Sequence, residues 1–541
     1  MFGAAEREAR LATLRDGGTF DLLVIGGGAT GCGIAVDAAA RGLSVALVER
    51  NDYAEGTSSR STKLLHGGVR YLEAAVKRLD RANFKLVLEA LRERGALLAN
   101  APHLSRRLAM VTPLYSWVEA PYVYAGLKLY DLLSGRSSIG GSRFLSKRQA
   151  LARFPGLQPD GLKAGVLYYD GQFVDSRLVI ALMRTARQRG AVLVNHVEAT
   201  ALLHDDSGRV CGAELHDRLS DRRWPLKARA VINATGPFAD GIARMDDRGA
   251  RPILTVSSGA HIVLDRRFVP PDTGLLIPKT HDGRVLFILP WQDHALVGTT
   301  DEAATVEEHP RPARADIAYL LDYVRQIFGA EVAESDIKAS WSGLRPLAFD
   351  PKAKNSAELA RDHVLLESAS GLITITGGKW TTYRLMSEQA VDLAVKRANL
   401  AHATQCVTEE LKLFGADRFN PRDEEVLRRQ GFHQDVARHL NRTYGDRAAD
   451  LVGLATMGWS QRLHPDHPYI EADVLHAVRY EDALHAIDVL ARRMTLALVD
   501  REAARTAARR VIDLMTPELG WNEAARQAEL ALVQRRLDEA L

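Results

Sequence analysis

The sequence predicts an α/β fold with two interleaved domains, followed by an all-helical C-terminal domain. Three observations predict it. A glycine-rich turn joins two apolar strands near the start, β-rich runs return in the middle and late thirds, and apolar residues recur at three- and four-residue spacing after about residue 406. The length of 541 residues exceeds one ordinary domain, and 46% apolar residues can bury a sizeable core. We therefore expect two or three domains.

The first element is a βαβ unit, FDLLVIGGGATGCGIAVDAAARGLSVALVER, at residues 20–50. An apolar strand leads into a GxGxxG pattern, Gly26, Gly28 and Gly31, and a helix of small residues follows. The first glycine permits the turn, the second lets the backbone approach a pyrophosphate, and the third lets helix and strand pack closely. Amides at the helix start then face the phosphates, and Glu49, roughly 20 residues on, stands where an acid bonds the ribose hydroxyls of an adenosine. The unit predicts dinucleotide binding, and the alternative is a βα turn without a ligand.

Two later segments decide between the common dinucleotides. A strand meander that ends in Ala-Thr-Gly is predicted for VNHVEATALLHDDSGRVCGAELHDRLSDRRWPLKARAVINATG. A β-rich run, a Gly-Gly turn and a helix are predicted for GLITITGGKWTTYRLMSEQAVDLAV. This three-part spacing resembles the two-dinucleotide-binding-domain flavoproteins, in which the start, middle and late thirds of the chain assemble the FAD site. An NAD site would not need the third part, so the spacing favours FAD.

A hydroxyl-rich stretch, EGTSSRSTKLLHGGVRYLE, follows the βαβ unit directly. Its serine and threonine hydroxyls can donate to a pyrophosphate and a ribityl chain, and Gly67 and Gly68 let the backbone lie close to an isoalloxazine ring. Lys63 and Arg70 bring cations to the same place. A solvated Ser/Thr loop is the alternative, but the position just after the second strand favours the cofactor.

The chain resembles the FAD-dependent glycerol-3-phosphate dehydrogenases of bacteria, which are relatives of the mitochondrial enzyme. The motifs that carry the resemblance are GGGATGCGIAVDAAARGLSVALVER, GTSSRSTKLLHGGVRYLE, SSGAHIVL, LVGTTD, WSGLRPL and GGKWTTYR, in order from Asp21 to about Val395. The resemblance implies a Rossmann-like FAD-binding domain of the glutathione-reductase-like superfamily, interleaved with an α+β substrate domain. It also implies that FAD is held without a covalent bond, so His66 is not an attachment point.

The expected domain boundaries follow from these segments. They are an FAD-binding domain of residues 17–75, 165–245 and 355–398, a substrate-binding domain of residues 76–164 and 246–354, and a helical C-terminal cap domain of residues 399–541. No family motif matches the cap residue by residue, so its helical character rests on periodicity alone. The resemblance implies that this region takes part in association, and a homodimer is one form it would take.

Two arginines and a histidine suit the oxidation of a phosphorylated alcohol. Such a reaction moves a hydride to the flavin while a base takes the hydroxyl proton, and arginine matches phosphate oxygens bidentately. The resemblance implies that Arg70, Tyr71 and Arg345 line the substrate pocket, with Arg361 near the phosphate or the pocket mouth. His261 is the candidate base, because imidazole titrates near physiological pH. A merely structural strand histidine is the alternative, with Arg345 as competing proton acceptor or alkoxide stabiliser.

Lys379 follows Gly377 and Gly378 at the start of a predicted helix. The helix N-terminus and the ammonium would stabilise the negative charge of a reduced flavin, and the resemblance places Lys379 near the substrate as well. A lysine in an ordinary N-cap turn is the alternative. The full set of expected cofactor residues is Gly26, Gly28, Gly31, Glu49, Thr57, Ser58, Ser59, Lys63, His66, Gly67, Gly68, Val197, Thr235, Gly236, Gly378, Lys379, Thr381 and Thr382.

Residues 103–148 have an aromatic and leucine-rich helical centre with basic residues on both sides. This composition is typical of an interfacial segment that meets anionic lipid, and a core segment with a basic rim is the alternative. The resemblance implies quinone as electron acceptor. It also implies a cytoplasmic protein that is peripheral on the inner face of the cytoplasmic membrane.

Composition argues against several other function classes. The net charge of +3 provides no field that would recruit nucleic acid. Cys32, Cys211 and Cys406 lie far apart without a CxxC pattern, so neither a disulfide framework nor a metal site is predicted. The start lacks the apolar region of a secretory signal, and no run is long and apolar enough to cross a bilayer.

These features predict the oxidation of sn-glycerol 3-phosphate to dihydroxyacetone phosphate, with FAD reduced and quinone as acceptor, in glycerol and glycerophospholipid catabolism. The nearest alternative is a glycerol-3-phosphate oxidase that reduces oxygen to hydrogen peroxide, although the additional insertion usual in such oxidases is not recognised. An amine-oxidising flavoenzyme and a non-catalytic FAD-binding protein are further alternatives.

Overall fold

The computed structural model describes residues 2–68, 81–329, 331–349 and 363–539. These residues form two large β-sheets and a helical C-terminal region. The strands are β1 (Phe20–Ile25), β2 (Val45–Val48), β3 (Leu64–Leu65), β4 (Ser105–Leu114), β5 (Arg143–Ser146), β6 (Ala164–Phe173), β7 (Val192–Val194), β8 (Val197–His204), β9 (Val210–Asp217), β10 (Arg223–Asn233), β11 (Leu254–Leu264), β12 (Thr273–Ile277), β13 (Leu286–Trp291), β14 (His294–Gly298), β15 (Glu302–Ala304), β16 (Ala339–Ala348), β17 (His363–Glu367) and β18 (Ile373–Gly377).

The first sheet has the order β17-β18-β10-β1-β2-β7 and contains the βαβ unit. β1 pairs in parallel with β2 and β10, and β10 pairs in parallel with β18. β9 pairs antiparallel with both β8 and β10, which is the strand meander predicted from the sequence. Because the carboxyl ends of parallel strands meet at one edge, the segments that follow β1, β10 and β18 come together there. The three-part assembly predicted from the sequence is confirmed.

Helices Ala29–Ala40 and Tyr383–Arg397 pack against each other beside this sheet. A Cβ at Gly33 would lie 2.4 Å from Ser387 Oγ and 2.9 Å from a ring carbon of Tyr383, so a glycine is needed where the helices meet. The small-residue helix of the sequence therefore serves close packing between the start and the late third of the chain. The helices outside the C-terminal region are Phe2–Asp16, Ala29–Ala40, Arg81–Asn100, Ala120–Ser134, Lys147–Arg153, Asp175–Gln188, Ala239–Asp246, Arg314–Phe328 and Tyr383–Arg397.

The second sheet has the order β15-β11-β14-β13-β12-β4-β6-β3, with β16 paired to β11 and β5 paired to β6. β4 and β6 are antiparallel over ten residue pairs, from Ser105 opposite Phe173 to Leu114 opposite Ala164. This long ladder places β6 in the second sheet, although the expected FAD-binding segment 165–245 includes that strand. The boundary between the two domains therefore lies later in the chain than the sequence pattern indicates.

The C-terminal region is helical, as predicted. Its core is continuous with the second sheet, because Trp291 and Trp341 share one apolar cluster with Leu440, Leu475 and Val511. None of the helices within the described ranges could span a membrane, because none is both long and apolar enough. The helices of the region are Asp423–Arg429, Gln434–Tyr444, Ala448–Leu454, Glu471–Tyr480, Ala486–Asp488, Leu496–Val499, Arg501–Leu519 and Glu523–Asp538.

Candidate active site

A cavity of about 480 Å³ lies at the carboxyl edge of the first sheet. Its lining comes from the GxGxxG turn, the hydroxyl-rich loop after β2, the start of β8, and the turns after β10 and β18. This volume is within the range of small-molecule and cofactor sites. The cavity therefore lies where the three predicted segments converge.

The glycines of the first turn have the geometry that a dinucleotide cradle requires. Gly26 has φ +113°, and a Cβ there would lie 2.7 Å from Ala234 O. A Cβ at Gly31 would lie 1.9 Å from Gly26 O, which explains the close packing of helix and strand. A Cβ at Gly28 would lie 3.0 Å from Ser58 Oγ and would narrow the cavity that Gly26 and Gly28 line. Larger residues at these positions would collide with the turn after β10, with the glycine turn itself or with Ser58.

Glu49 ends the second strand and lines the cavity. Its Oε2 accepts a hydrogen bond from Gly27 N at 2.6 Å, and its Oε1 accepts one from Asn51 N at 2.9 Å. Burial raises the pKa of this carboxyl, while the two amides favour its ionised form. The carboxylate therefore both holds the glycine turn and faces the place where an adenosine ribose would lie.

The hydroxyl-rich loop is fixed to three distant parts of the chain. Ser58 Oγ accepts a hydrogen bond from Ala29 N at 3.0 Å, at the start of the first helix. Thr57 Oγ1 donates to Leu344 O at 2.6 Å, which joins the loop to β16. Trp380 Nε1 donates to Ser58 O at 3.0 Å. Thr57 and Ser58 line the cavity, so these bonds hold two of the expected cofactor residues in place.

Lys63 is placed differently from a residue that contacts cofactor. Its side chain is fully buried, and Nζ donates to both Asp175 carboxylate oxygens at 2.8 Å and to Ser59 O at 2.6 Å. It also lies 5.0 Å from the ring centroid of Trp291 and 5.2 Å from that of Trp341. The ammonium is therefore directed at Asp175, and neither Lys63 nor Ser59 is among the residues that line the cavity.

The His66-Gly67-Gly68 segment contacts a buried polar cluster. Gly67 N donates to Tyr130 OH at 2.7 Å, and Tyr130 OH donates to Asp170 Oδ1 at 2.8 Å. Arg94 Nη1 binds the same Asp170 oxygen at 2.7 Å. A Cβ at Gly67 would lie 2.4 Å from Leu91 Cδ2, so glycine is required here by protein packing. The sequence alone did not identify Tyr130, because only the fold brings its helix to Gly67.

The remaining expected cofactor residues divide into two groups. One group lines the cavity and comprises Val197, Thr235, Gly236, Gly378 and Lys379. The other holds the loops around it: Thr381 Oγ1 donates to His66 O at 3.4 Å, and Thr382 Oγ1 donates to Lys379 O at 3.2 Å. Gly378 has φ +69°, which favours glycine in the turn that presents Lys379.

His261 lies in β11 between two partners on neighbouring strands. Its ring stacks on Trp341 at 5.4 Å, and a Cβ at Gly298 would lie 2.2 Å from its Cδ2. Nε2 lies 2.9 Å from Thr62 Oγ1, in the loop that follows the cofactor residues. Burial and, next, the charge of Arg345 hold the pKa of this imidazole well below its usual range. His261 is therefore neutral at physiological pH.

Arg345 lies on the same face of the second sheet as His261. β11 and β16 pair Ser257 with Arg345 and His261 with Trp341, and alternation along each strand puts all four side chains on one face. A Cβ at Gly259 would lie 2.2 Å from Arg345 Nη2, so this glycine makes room for the guanidinium. The two candidate catalytic residues are thus neighbours.

The Arg345 guanidinium is held by the segment that follows β14. Nη1 lies 3.1 Å from Asp301 Oδ1, and Nη2 donates to Thr299 Oγ1 and Thr300 O at 2.9 Å. Its side chain remains 25% exposed. A fixed and partly accessible guanidinium suits recognition of an anion. The other predicted pocket residues, Arg70, Tyr71 and Arg361, lie outside the described residues.

A contact that the sequence did not reveal lies in the lining of the cavity. Arg50 Nη2 lies 2.9 Å from Glu308 Oε1, and Arg50 Cζ lies 4.3 Å from the ring centroid of Phe238. All three residues line the cavity. Glu308 belongs to residues 305–313, which we call the strap and which follow β15. The position of Arg50 directly after Glu49 was a signal, but its partner lies more than 250 residues away.

The residues present fit FAD. The glycine cradle, amides at a helix start, an acid at the end of β2 and a lysine at the turn after β18 all converge on one cavity. A side chain at Gly28 would approach Ser58, which lines the same cavity. Within the described residues, no cluster of three or more His, Cys, Asp or Glu side chains has the arrangement of a metal site.

Comparisons with known proteins agree with this assignment. A model of the FAD dependent oxidoreductase family matches residues 21–384, and one of the C-terminal domain of alpha-glycerophosphate oxidase matches residues 406–526. The chain is 46% identical to the probable mitochondrial glycerol-3-phosphate dehydrogenase of Caenorhabditis elegans, over 98% of this chain and 75% of that protein. It is 41% identical to the mitochondrial glycerol-3-phosphate dehydrogenase of Arabidopsis thaliana, over 98% and 88% respectively.

A solved structure of glycerol-3-phosphate dehydrogenase from Bacillus halodurans, complexed with FAD, matches with a TM-score of 0.81 and 29% identity over 100% of this chain and 98% of that one. The resemblance, the fold and FAD as cofactor are thereby confirmed. The second family match also covers most of the helical region, in which the sequence had shown no motif. The expected location on the inner face of the cytoplasmic membrane is wrong, because the curated relatives are named as mitochondrial proteins.

Proposed function

The chain belongs to the glycerol-3-phosphate dehydrogenase family of FAD-dependent oxidoreductases, and on this premise we propose that it oxidises sn-glycerol 3-phosphate to dihydroxyacetone phosphate. The observation that carries the proposal is the placement of His261 and Arg345 on one face of two paired strands. Those strands adjoin the FAD cavity, because Pro346 lines it and Leu344 O accepts the Thr57 hydroxyl. When bound there, FAD supplies the hydride acceptor for the carbinol carbon.

Arg345 recognises the substrate's phosphate in this proposal. The bonds to Asp301, Thr299 and Thr300 fix its orientation, so little side-chain entropy is lost when an anion binds. A guanidinium offers two parallel N–H groups to phosphate oxygens, which a lysine does not. Arg70 and Tyr71 remain proposed as its partners in the pocket.

His261 accepts the hydroxyl proton of the substrate. Its depressed pKa keeps an unprotonated imidazole available at neutral pH, and the Thr62 hydroxyl orients its Nε2. Arg345 cannot take this role, because a guanidinium stays protonated in proteins.

The acceptor of the electrons is proposed to be a quinone at a membrane surface. Within residues 115–134, Trp117 is 60% exposed, Val118 is 88% exposed and Leu132 is 76% exposed. Exposed aromatic and aliphatic side chains of this kind favour contact with a lipid interface, where quinones dissolve. Tyr130 lies on the same helix as Leu132, and its hydroxyl accepts a hydrogen bond from Gly67 N, which connects this helix to the hydroxyl-rich loop.

The test begins with the purified holoenzyme under anaerobic conditions. We expect glycerol 3-phosphate to bleach the visible absorbance of the flavin, and glycine or sarcosine to leave it unchanged. Bleaching by the amines would favour the amine-oxidising alternative, and no bleaching by any of them would favour a non-catalytic protein. Reoxidation is then followed with a soluble quinone and with air. A peroxide yield equal to the substrate oxidised, with no quinone reduction, would favour the oxidase.

The membrane contact and the homodimer have separate tests. Trp117→Ser combined with Val118→Ser should weaken binding to anionic vesicles while anaerobic bleaching by substrate is kept. Equal vesicle binding by the two proteins would refute the assignment of this surface. Sedimentation of the holoenzyme measures the proposed dimer directly.

A further inference from the structure

Arg60 is a buried cation for which the described residues provide no ion pair. It lies in the hydroxyl-rich loop between Ser59 and Ser61, yet it is not among the residues that line the FAD cavity. Its side chain is 5% exposed. In the described part of the chain, the guanidinium has no ion pair or hydrogen bond, and its Nη1 is fully enclosed. Buried arginines are normally paired, so this one requires an explanation.

The nearest charged neighbours do not neutralise Arg60. Arg536, from the last helix, is also 5% exposed, and its Nε has no hydrogen-bond partner among the described residues. Glu55 is the carboxylate they share, but it lies 3.5 Å from Arg536 Nη2 and 3.4 Å from Arg492 Nη2. Glu55 is thus shared between two guanidinium groups, and within the described residues it forms no ion pair with Arg60, whose charge remains uncompensated.

Arg492 does not need that carboxylate. Its Nε binds Asp52 Oδ2 at 2.6 Å, and its Nη2 binds Asp488 Oδ1 at 2.5 Å. The excess positive charge is therefore concentrated on Arg60 and Arg536. Burial, and then the charge of Arg536, lower the pKa of Arg60 to about 9, in keeping with an Nη1 that has no hydrogen-bond partner in the described residues.

His309 adds a third unsatisfied group to the same cluster. It belongs to the strap, and its Nδ1 is buried without a hydrogen-bond partner in the described ranges. Burial, followed by the charge of Arg536, lowers the pKa of this imidazole to about 4, so the ring is neutral and can donate one N–H. Two guanidinium forks and an imidazole are a set of donors suited to a small oxyanion.

We propose that Arg60, Arg536 and His309 form a binding site for a small oxyanion such as inorganic phosphate. The three residues come from the hydroxyl-rich loop, the last helix of the C-terminal region and the strap. An anion held between them joins these three elements. The strap carries Glu308, which pairs with Arg50 at the cavity, and Arg311, which pairs with Glu539 at 2.8 Å. Anion binding therefore stabilises the protein and slows the release of FAD.

The experiment compares the holoenzyme with Arg60→Met in a phosphate-free buffer and with added inorganic phosphate. The wild type should melt about 2 to 4 °C higher in phosphate, and release of FAD, followed by its fluorescence, should slow. R60M should show neither response. Without phosphate, R60M should melt at or above the wild-type temperature, because a buried unpaired charge has been removed. A matched control is Arg505→Met, which removes an arginine already paired with Asp538 at 2.8 Å and should respond as the wild type does.

Phosphate can also enter the substrate pocket, so a second arm separates the two sites. In Arg345→Ala the phosphate response should persist. Loss of the response in R345A together with its retention in R60M would overturn the proposal. Sodium chloride at equal ionic strength should produce no shift, and an equal shift with chloride would also overturn it, because screening alone would then explain the effect.

Discussion

The buried Lys63–Asp175 pair provides a direct test of how the hydroxyl-rich loop is held in place. We consider Lys63→Met, which keeps most of the side-chain volume next to Trp291 and Trp341 and removes the charge. Three contacts are lost: two to the Asp175 carboxylate at 2.8 Å and one to Ser59 O at 2.6 Å. Asp175 is then a buried carboxylate without its counterion.

The size of the stability loss in Lys63→Met depends on the hydrogen bonds that Asp175 keeps. Removing one partner of a buried pair typically costs about 3 to 5 kcal/mol. Asp175 retains hydrogen bonds from Ser61 Oγ at 2.7 Å and from Ser176 N at 2.8 Å, which partly compensate the charge. We therefore expect a loss near the lower end, about 3 kcal/mol, in the stability of this region. Adding Asp175→Asn removes the unpaired charge and should recover part of that loss.

The assay is urea unfolding followed by tryptophan fluorescence, because Trp291 and Trp341 lie 5.0 and 5.2 Å from Lys63 Nζ and report on this region. The midpoint should fall in Lys63→Met and rise again in the double variant. The flavin absorbance of the folded single variant should be unchanged, because Lys63 does not line the cavity. Unchanged stability with weakened FAD binding would refute this reasoning and support Lys63 as a cofactor ligand.

Three further predictions concern the site itself. Arg345→Ala should lower kcat/KM for glycerol 3-phosphate by about 30- to 700-fold, the equivalent of a charge-assisted phosphate contact worth roughly 2 to 4 kcal/mol. The control Arg284→Ala, which removes an exposed pair with Glu302, should leave kcat/KM unchanged. Equal effects of the two substitutions would contradict the assignment of Arg345 to the substrate pocket. The active form of the His261 imidazole is unprotonated and its pKa lies below the usual value, so kcat/KM should not fall until the pH is well below about 6.5. A His261-dependent inflection of kcat/KM near pH 6.5 would count against His261 as the base. Arg50→Gln should speed FAD release measured by fluorescence, since it breaks the 2.9 Å pair with Glu308; release at the wild-type rate would show that the contact does not retain the cofactor.

The parts of the fold that could be predicted are those with local signals. The βαβ unit was predictable because its strand, glycine turn and helix lie within about thirty residues and each has its own periodicity. The position of Glu49 at the end of the second strand was predictable because it belongs to the same short unit. The helical C-terminal region followed from apolar spacing alone, although its packing against Trp291 and Trp341 did not.

The partners of charged residues could not be predicted, because they are set by contacts between distant segments. The sequence places Lys63 in a loop of cofactor residues, but Asp175 lies 112 positions away and turns the ammonium inwards. The sequence predicted that Gly67 lets the backbone lie close to an isoalloxazine ring, and this stays a prediction. The protein groups next to Gly67, Leu91 and the Tyr130 hydroxyl, could not be predicted, because only the fold brings them there.

Charged residues of the C-terminal region pair with a buried carboxylate beside the hydroxyl-rich loop. Asp52 follows Glu49 by three residues and is fully buried, with hydrogen bonds from Arg492 Nε at 2.6 Å and from Arg493 Nη1 and Nη2 at 2.8 Å. Without the C-terminal helices, this carboxylate would have no counterion in the described part of the first sheet, and an uncompensated buried charge is strongly unfavourable. The helical region therefore supplies the counterions of a buried carboxylate in the segment between Glu49 and the hydroxyl-rich loop. This accounts for its position directly against the loop that holds Thr57 and Ser58.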